Sequence, residues 1–323
     1  MRLSSGRFLG IDTSNYTTSA ALYDAACGKV YQAKIMLPVK EGCLGLRQSD
    51  AVFHHTVQLP QVMHELAEQT DISDISAVGV SEKPRGTEGS YMPCFLCGTG
   101  LAESISLVKE IPVYKTTHQI GHILAALYSA GKLDLLEKEK FGAFHVSGGT
   151  TDCLLCRCKD GKITEIEEIV SSLDLKGGQL IDRTGLMLGL KFPCGIELEK
   201  LADKSTADIK KMNIRPVIKN GNCCLSGFEN KFSDMLSRGV PYEDVAAACQ
   251  YAVMISVRAM ADHLEDNFGS LPIIFAGGVM SNRYIADNLA EGREAYFAEP
   301  AFSCDNAAGT ALFAALEHNT LQE

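Results

Sequence analysis

The chain has 323 residues, 46% hydrophobic and 22% charged, a globular composition of about two domains' length that excludes disordered and fibrous classes. Thirty Lys and Arg against forty Asp and Glu give a formal charge of −10, so an RNA substrate would need a local cationic patch or a partner to hold it. Apolar runs such as residues 271–275 and 123–127 stop far short of the roughly 20 residues that span a bilayer. Asp12 interrupts the short apolar stretch after Arg2 and Arg7, so no signal peptide or membrane association is expected and the cytoplasm is the expected compartment.

In chain order, two apolar, β-prone runs at 8–12 and 17–23 flank the turn Thr13-Ser14-Asn15-Tyr16. Gly28 and a third run at 30–36 complete an antiparallel meander. A helical stripe follows over 51–69, with Pro60 as a break or a start. A strand at 77–81, then helices over 94–109 and 118–130 on either side of a strand-like 111–114, make the first half mixed α/β. The 131–140 segment, rich in Leu, Lys and Glu, is the expected boundary, which gives domains of 1–140 and 141–323, the last helix being free to pack back on the first.

From Phe141 the pattern restarts, with strand-like runs at 141–147, 152–158 and 163–169. Helices are expected at 178–188, 196–201, 228–238 and 242–268, then a strand at 272–276 and a helix at 282–289. A second α/β domain of similar plan is the economical reading.

Twelve cysteines in an intracellular chain are thiols or metal ligands. Cys94/Cys97 and Cys153/Cys156 have zinc-knuckle spacing, and Cys158 follows. Strand alternation, however, sends Cys153 to the face opposite Cys156 and Cys158, which argues against a shared tetrahedral ion and for small buried thiols.

His118 and His122 stand at i and i+4, one face of a helix, where both imidazoles reach one metal ion. A zinc protease would need Glu directly after the first His, and Gln119 stands there. Asp305 is the nominated third ligand, its alternative role being an N-cap for a helix over 307–316. Two Gly-rich turns, Val146-Ser147-Gly148-Gly149-Thr150-Thr151 and Ala276-Gly277-Gly278-Val279, follow strands. Their amides can bind a phosphate, although a bare Gly-Gly also serves as a tight turn. Asp12 closes the first strand and can hold a water or a metal-bound phosphate, or cap the hairpin. Among the other histidines, His145 alternates into a strand, His54, His55 and His64 share a helical face, and His263 and His318 are expected in solvent.

Taken together, Gly10-Ile11-Asp12-Thr13-Ser14, His118-x-x-x-His122, Val146-Ser147-Gly148-Gly149, Asp182 in Gly178-Gln179-Leu180-Ile181-Asp182-Arg183, Ser226-Gly227, Ala276-Gly277-Gly278-Val279-x-x-Asn282-Arg283 and Cys304-Asp305-Asn306 resemble the TsaD family in order and over nearly the whole chain. That family transfers a threonylcarbamoyl group to tRNA adenosine. The resemblance implies an actin-like, Hsp70-like ATPase fold of two duplicated α/β domains with the ligand between them. It implies one iron or zinc ion on His118, His122 and Asp305. It further implies an adenylate, either threonylcarbamoyl-AMP or ATP, ADP or AMP, contacted by Asp12, His145, Val146, Ser147, Gly148, Gly149, Asp182, Gly195, Gly277, Gly278 and Asn282. Asp182 would accept ribose hydroxyls and Asn282 would bond near the base. The adenine exocyclic amine of tRNA would attack the carbamoyl carbon, AMP departing; a TsaB-like protein partner is implied as well.

The chain also departs from the family pattern. Thr150 replaces a His, Gln179-Leu180 replace Glu-Ala, Lys83-Pro84-Arg85-Gly86 occupies a Gly-Pro-Gly loop, and Glu229 replaces a Lys after Ser-Gly. The pattern is that of a diverged paralogue. Three readings follow: threonylcarbamoyl transfer to tRNA, carbamoyl transfer to a different acceptor, and a non-catalytic nucleotide-binding subunit.

Overall fold

The computed structural model describes residues 6–14, 16–38, 46–304 and 306–320. The opening meander is β1 (Arg7–Asp12), β2 (Thr17–Asp24) and β3 (Lys29–Met36), with β2 antiparallel to both neighbours. β1 and β2 are buried nearly throughout, hence their unbroken apolar sequences, whereas the edge strand β3 is mostly half-exposed.

Helix α1 (Gln48–Gln69) runs through Pro60 without interruption, where a break or a start was expected. Pro60 is exposed, while Leu59, Val62 and Leu66 are buried on the opposite side. Three such side chains contribute roughly 1.5–3 kcal/mol each, which outweighs the ~3 kcal/mol cost of one interior proline. β4 (Ala77–Lys83) lies parallel to β1. α2 (Phe95–Lys109) leads to β5 (Val113–Thr117), parallel to β4, and α3 (His118–Ser129) follows at once. β5 starts two residues later than expected because Ile111 N–H closes the end of α2 on Ser106 O. The sheet order is β3-β2-β1-β4-β5.

The second unit repeats this plan. β6 (Lys140–Val146), β7 (Thr151–Lys159) and β8 (Lys162–Ser171) form its meander, followed by α4 (Gly177–Met187) and α5 (Gly195–Ala202). A short ribbon, β9 (Val217–Lys219) and β10 (Asn222–Cys224), precedes α6 (Ser226–Ser237) and α7 (Tyr242–Phe268). β11 (Ile273–Ala276), α8 (Arg283–Ala290) and β12 (Ala295–Phe297) complete it, in the sheet order β12-β11-β6-β7-β8. β11 is parallel to β6 and to β12. The core between this sheet and α7 contains Phe144 stacked on Phe275 at 4.9 Å and Phe275 on Phe297 at 5.1 Å. Cys153 lies in this core and Cys156 is buried outside it.

α9 (Ala308–Thr320) belongs with the first unit, which comprises the described residues up to Glu137, Asp160–Lys162 and those from Ala301; the second comprises Lys138–Lys159 and Ile163–Pro300. It approaches β1 and β4 so closely that a Cβ on Gly10 or Gly79 would collide with its backbone, and one on Gly309 would strike the Gly121 carbonyl in α3. His318 at its end is not in solvent as expected. Its ring packs edge-on to Phe8 at 5.6 Å and its Nδ1 meets Tyr114 Oη at 3.2 Å. His263 likewise is only partly exposed, lying over the Gly221 backbone. No helix among the described residues is long and apolar enough to cross a membrane.

Candidate active site

The Thr117 side chain accepts from Ile120 N–H at 3.2 Å, an N-cap that starts α3 at His118 and puts His122 one turn on. The two rings lie 4.2 Å apart between centroids, and their Nε2 atoms meet at 2.8 Å. Behind His118 stands Asp12, at the C-terminal end of β1 and 1% exposed. Its Oδ2 lies 2.9 Å from His118 Nδ1 and accepts from Ser81 Oγ at 2.5 Å; its Oδ1 accepts from Ser14 N–H at 2.8 Å. Burial pushes the Asp12 carboxyl upward, but the His118 charge and the hydrogen bonds from His118, Ser14 and Ser81 outweigh it and hold the group below the usual carboxylate range.

An ionised carboxylate only accepts, so His118 Nδ1 carries a proton in either charge state of the ring, and once the second proton is lost Nε2 presents a lone pair toward His122. Ser14 Oγ lies 3.5 Å from the same nitrogen. Two imidazole nitrogens converging on one point, one of them backed by a carboxylate, fit a divalent ion: this is the outer-shell arrangement that fixes the tautomer of a metal-binding histidine. Among the described residues no third His, Cys, Asp or Glu completes a metal-binding group around them. Asp305, the nominated third ligand, lies outside the described residues, as does its alternative role as a cap. Asn306 takes a capping role next to it, accepting from Ala308 N–H at 3.0 Å.

In the second unit the two Gly-rich turns follow β6 and β11, adjacent parallel strands in which His145 pairs with Ala276. Both turns therefore sit at strand carboxyl ends, where α/β sheets receive their ligands. Ser147 shapes the first: its N–H donates to Thr150 O at 2.8 Å, and its Oγ accepts from Gly149 and Thr150 N–H at 3.2 and 3.1 Å. Nothing lies within 4 Å of where a Cβ would stand on Gly148 or Gly149, so this backbone is open. Gly178, in the first turn of α4, abuts Ser147 and Gly148 so tightly that only glycine fits. Gly277 has φ +99°, and a Cβ there would collide with the Val146 carbonyl, so the second turn is fixed against the first. Val146 is fully buried and offers only its backbone; Gly278 and Gly195 are open.

Asp182 accepts from Cys194 N–H at 2.8 Å through Oδ1, and its Oδ2 has no partner among the described residues. Burial raises its carboxyl above the usual value, opposed by the Cys194 hydrogen bond. Asn282, expected near a base, caps α8: Oδ1 accepts from Ile285 N–H at 2.9 Å and Nδ2 donates to Gln250 Oε1 at 3.1 Å. Sequence reasoning missed Ser81, Gln250 and the partner of Glu229, which is Arg183 at 2.9 Å. Ser81 ends the strand run expected at 77–81, yet nothing local marks its contact with Asp12; the β1–β4 pairing creates it. Gln119 N–H donates to Pro84 O at 3.1 Å, so the Lys83–Gly86 departure abuts the helix that carries the histidines.

A family model described as tRNA N6-adenosine threonylcarbamoyltransferase, TsaD, matches residues 39–312. Proteins of that name from Thermosipho africanus and Aromatoleum aromaticum are 30% and 28% identical, over 94% and 96% of this chain and 92% and 91% of theirs. A probable bifunctional tRNA threonylcarbamoyladenosine biosynthesis protein from Thermoplasma acidophilum is 27% identical over 92% of this chain and 54% of its own. Among solved structures, component A of the (R)-2-hydroxyglutaryl-CoA dehydratase of Acidaminococcus fermentans matches with a TM-score of 0.57 at 18% identity, covering 98% of this chain and 100% of that one. Full-length HypF in its phosphate- and nucleotide-bound form matches at 0.59 and 14%, covering 100% and 56%. At these identities the structural likeness speaks for the fold alone, and that fold is the expected actin-like ATPase fold.

Proposed function

The chain belongs to the TsaD family of tRNA N6-adenosine threonylcarbamoyltransferases, and on that premise we propose that it transfers the threonylcarbamoyl group from threonylcarbamoyl-AMP to the exocyclic amine of an anticodon-loop adenosine in tRNA. The observation that carries this reading is the convergence of His118 and His122 with Asp12 behind them. With Asp305, they would hold one iron or zinc ion. Bound there, such an ion supplies a positive charge that orients the anhydride and offsets charge on the departing phosphate.

The chain's own groups do the rest. Asp12 holds the His118 proton on Nδ1, and Ser81 and Ser14 hold Asp12. In the second unit the open Ser147-Gly148-Gly149 turn and the Gly277-Gly278 turn offer backbone amides to phosphate oxygens. The free Oδ2 of Asp182 accepts a ribose hydroxyl, with Gly195 leaving the approach open. His145, paired with Ala276 beside the turns, and Asn282, the N-cap of α8, complete the nucleotide side of the proposal, with Asn282 near the base. The acceptor amine needs no covalent help from the protein, so the catalysis is positioning and electrostatics. Action on tRNA puts the protein in the cytoplasm, and a TsaB-like partner is part of the proposal.

Mass spectrometry of tRNA nucleosides from a deletion strain tests it: loss of threonylcarbamoyladenosine supports the reading, and intact modification in a strain without a second TsaD-type chain sinks it. A second reading, carbamoyl transfer to a different acceptor, is favoured by one feature. Glu229 reverses a family charge and is neutralised internally by Arg183. AMP release from carbamoyl-adenylate with a small-molecule acceptor, and none with tRNA, distinguishes the two.

A further inference from the structure

The acidic chain contains one stretch of opposite character. Between Lys204 and Lys231 lie Lys204, Lys210, Lys211, Arg215, Lys219 and Lys231, against two acids, Asp208 and Glu229. Both acids are engaged in ion pairs: Asp208 with Lys211 at 3.2 Å and Glu229 with Arg183 at 2.9 Å. Arg215, Lys210 and Lys219 are exposed, and their side chains have no partner among the described residues.

The stretch also surrounds a cavity. A pocket of ≈ 380 Å³ is lined by Asn213, Arg215, Val217, Gly227, Phe228 and Lys231, with no carboxylate among them. Lys231 Nζ donates to Asn213 O at 2.6 Å, which ties α6 to the 213–217 segment and leaves its other protons available. At the start of α6 the Leu225 and Ser226 N–H groups donate to the Asp174 carboxylate at 2.7 and 3.3 Å, so the helix end is already capped and the positive charge of the pocket comes from Arg215 and Lys231. Ile218 packs into the core and strand alternation puts Val217 and Lys219 on the opposite, outer face, extending the cationic rim along β9.

We propose that this pocket and its rim are a docking surface for the phosphate backbone of RNA. The cations meet phosphodiester oxygens, and the Val217 and Phe228 wall accommodates a sugar. The proposal rests on the tRNA-acceptor reading above and assigns the local patch that a chain of net charge −10 needs to hold a polyanion.

The test is binding of a fluorescent unmodified tRNA transcript to the full chain, followed by anisotropy across a salt series. A triple variant, Lys210→Ala, Arg215→Ala and Lys219→Ala, is compared with a control, Lys29→Ala with Lys132→Ala. Circular dichroism confirms the fold of each. The triple variant is expected to bind at least about tenfold more weakly, with the slope of log K against log salt reduced by about 2 to 3, since each phosphate contact contributes about 0.7 to 0.9. Wild-type affinity and slope in the triple variant overturn the surface, as does an equal loss in the control. AMP release from threonylcarbamoyl-adenylate separates this from the underlying reading. Release stimulated by tRNA, with unchanged tRNA affinity in the triple variant, sinks the surface alone; salt-dependent binding lost in the triple variant supports it even where tRNA stimulates no release.

Discussion

Asp12 accepts three hydrogen bonds while 1% exposed, and one of them sets which nitrogen of His118 faces His122. Asp12→Asn keeps the shape but removes the charge, and its amide can donate to Nδ1 and reverse the tautomer. Zinc affinity measured by calorimetry is expected to fall about 10- to 100-fold, the usual consequence of losing such an outer partner. Unchanged affinity would show that Asp12 does not orient the ring. A different physics governs His55, fully buried in α1. Thr18 Oγ1 donates to Gln58 Oε1 at 2.8 Å, so His55 Nδ1–H must donate to Thr18 at 2.8 Å, and Nε2 is left without a partner among the described residues. Burial lowers its pKa to about 4, helped by His54 and opposed by the Asp12 charge. With the folded pKa below the unfolded one, the unfolded chain binds the extra proton first, so stability falls as pH drops below the unfolded pKa toward 4. Urea unfolding is expected to lose roughly 2 kcal/mol between about pH 7 and 5 on this account. His55→Gln should flatten that dependence; an equally steep profile in the variant would assign it to other groups.

Among the elements, α9 brings its glycine against α3 one residue before His122. Gly309→Ala forces the two backbones apart, an overpacking that costs about 1–3 kcal/mol. Urea unfolding should register this loss, and zinc affinity should fall with it because α3 carries both imidazoles; full retention of both would show the contact to be loose. This crossing was not legible in the sequence, since Gly121 and Gly309 are far apart along the chain and small residues in helices have many uses. What was legible had strong local periodicity: the apolar runs of β1 and β2, the 27-residue α7, and the i, i+4 spacing of His118 and His122. Strands of three residues, such as β9, β10 and β12, carry too little pattern to be read. The Asp12–His118 hydrogen bond spans 106 positions and exists only because β1, β4 and β5 pair in register ahead of α3. Pro60 misled because its local cost is real, while the burial that outweighs it belongs to the sheet.

For the whole molecule, the plan is one α/β arrangement used twice, and the chemistry divides with it. The first unit supplies the imidazole pair and its carboxylate; the second supplies open Gly-rich turns at strand ends and the Asp182 carboxylate, whose Oδ2 has no partner among the described residues. Transfer from an already activated adenylate asks both sets for positioning and electrostatics. The most direct measurement is nucleoside mass spectrometry after incubating the purified, metal-loaded chain with its proposed partner, threonylcarbamoyl-AMP and unmodified tRNA. The account predicts threonylcarbamoyladenosine with one AMP released per group transferred, and loss of both in His118→Ala and His122→Ala. Modification that persists at the wild-type rate when both imidazoles are removed would contradict it.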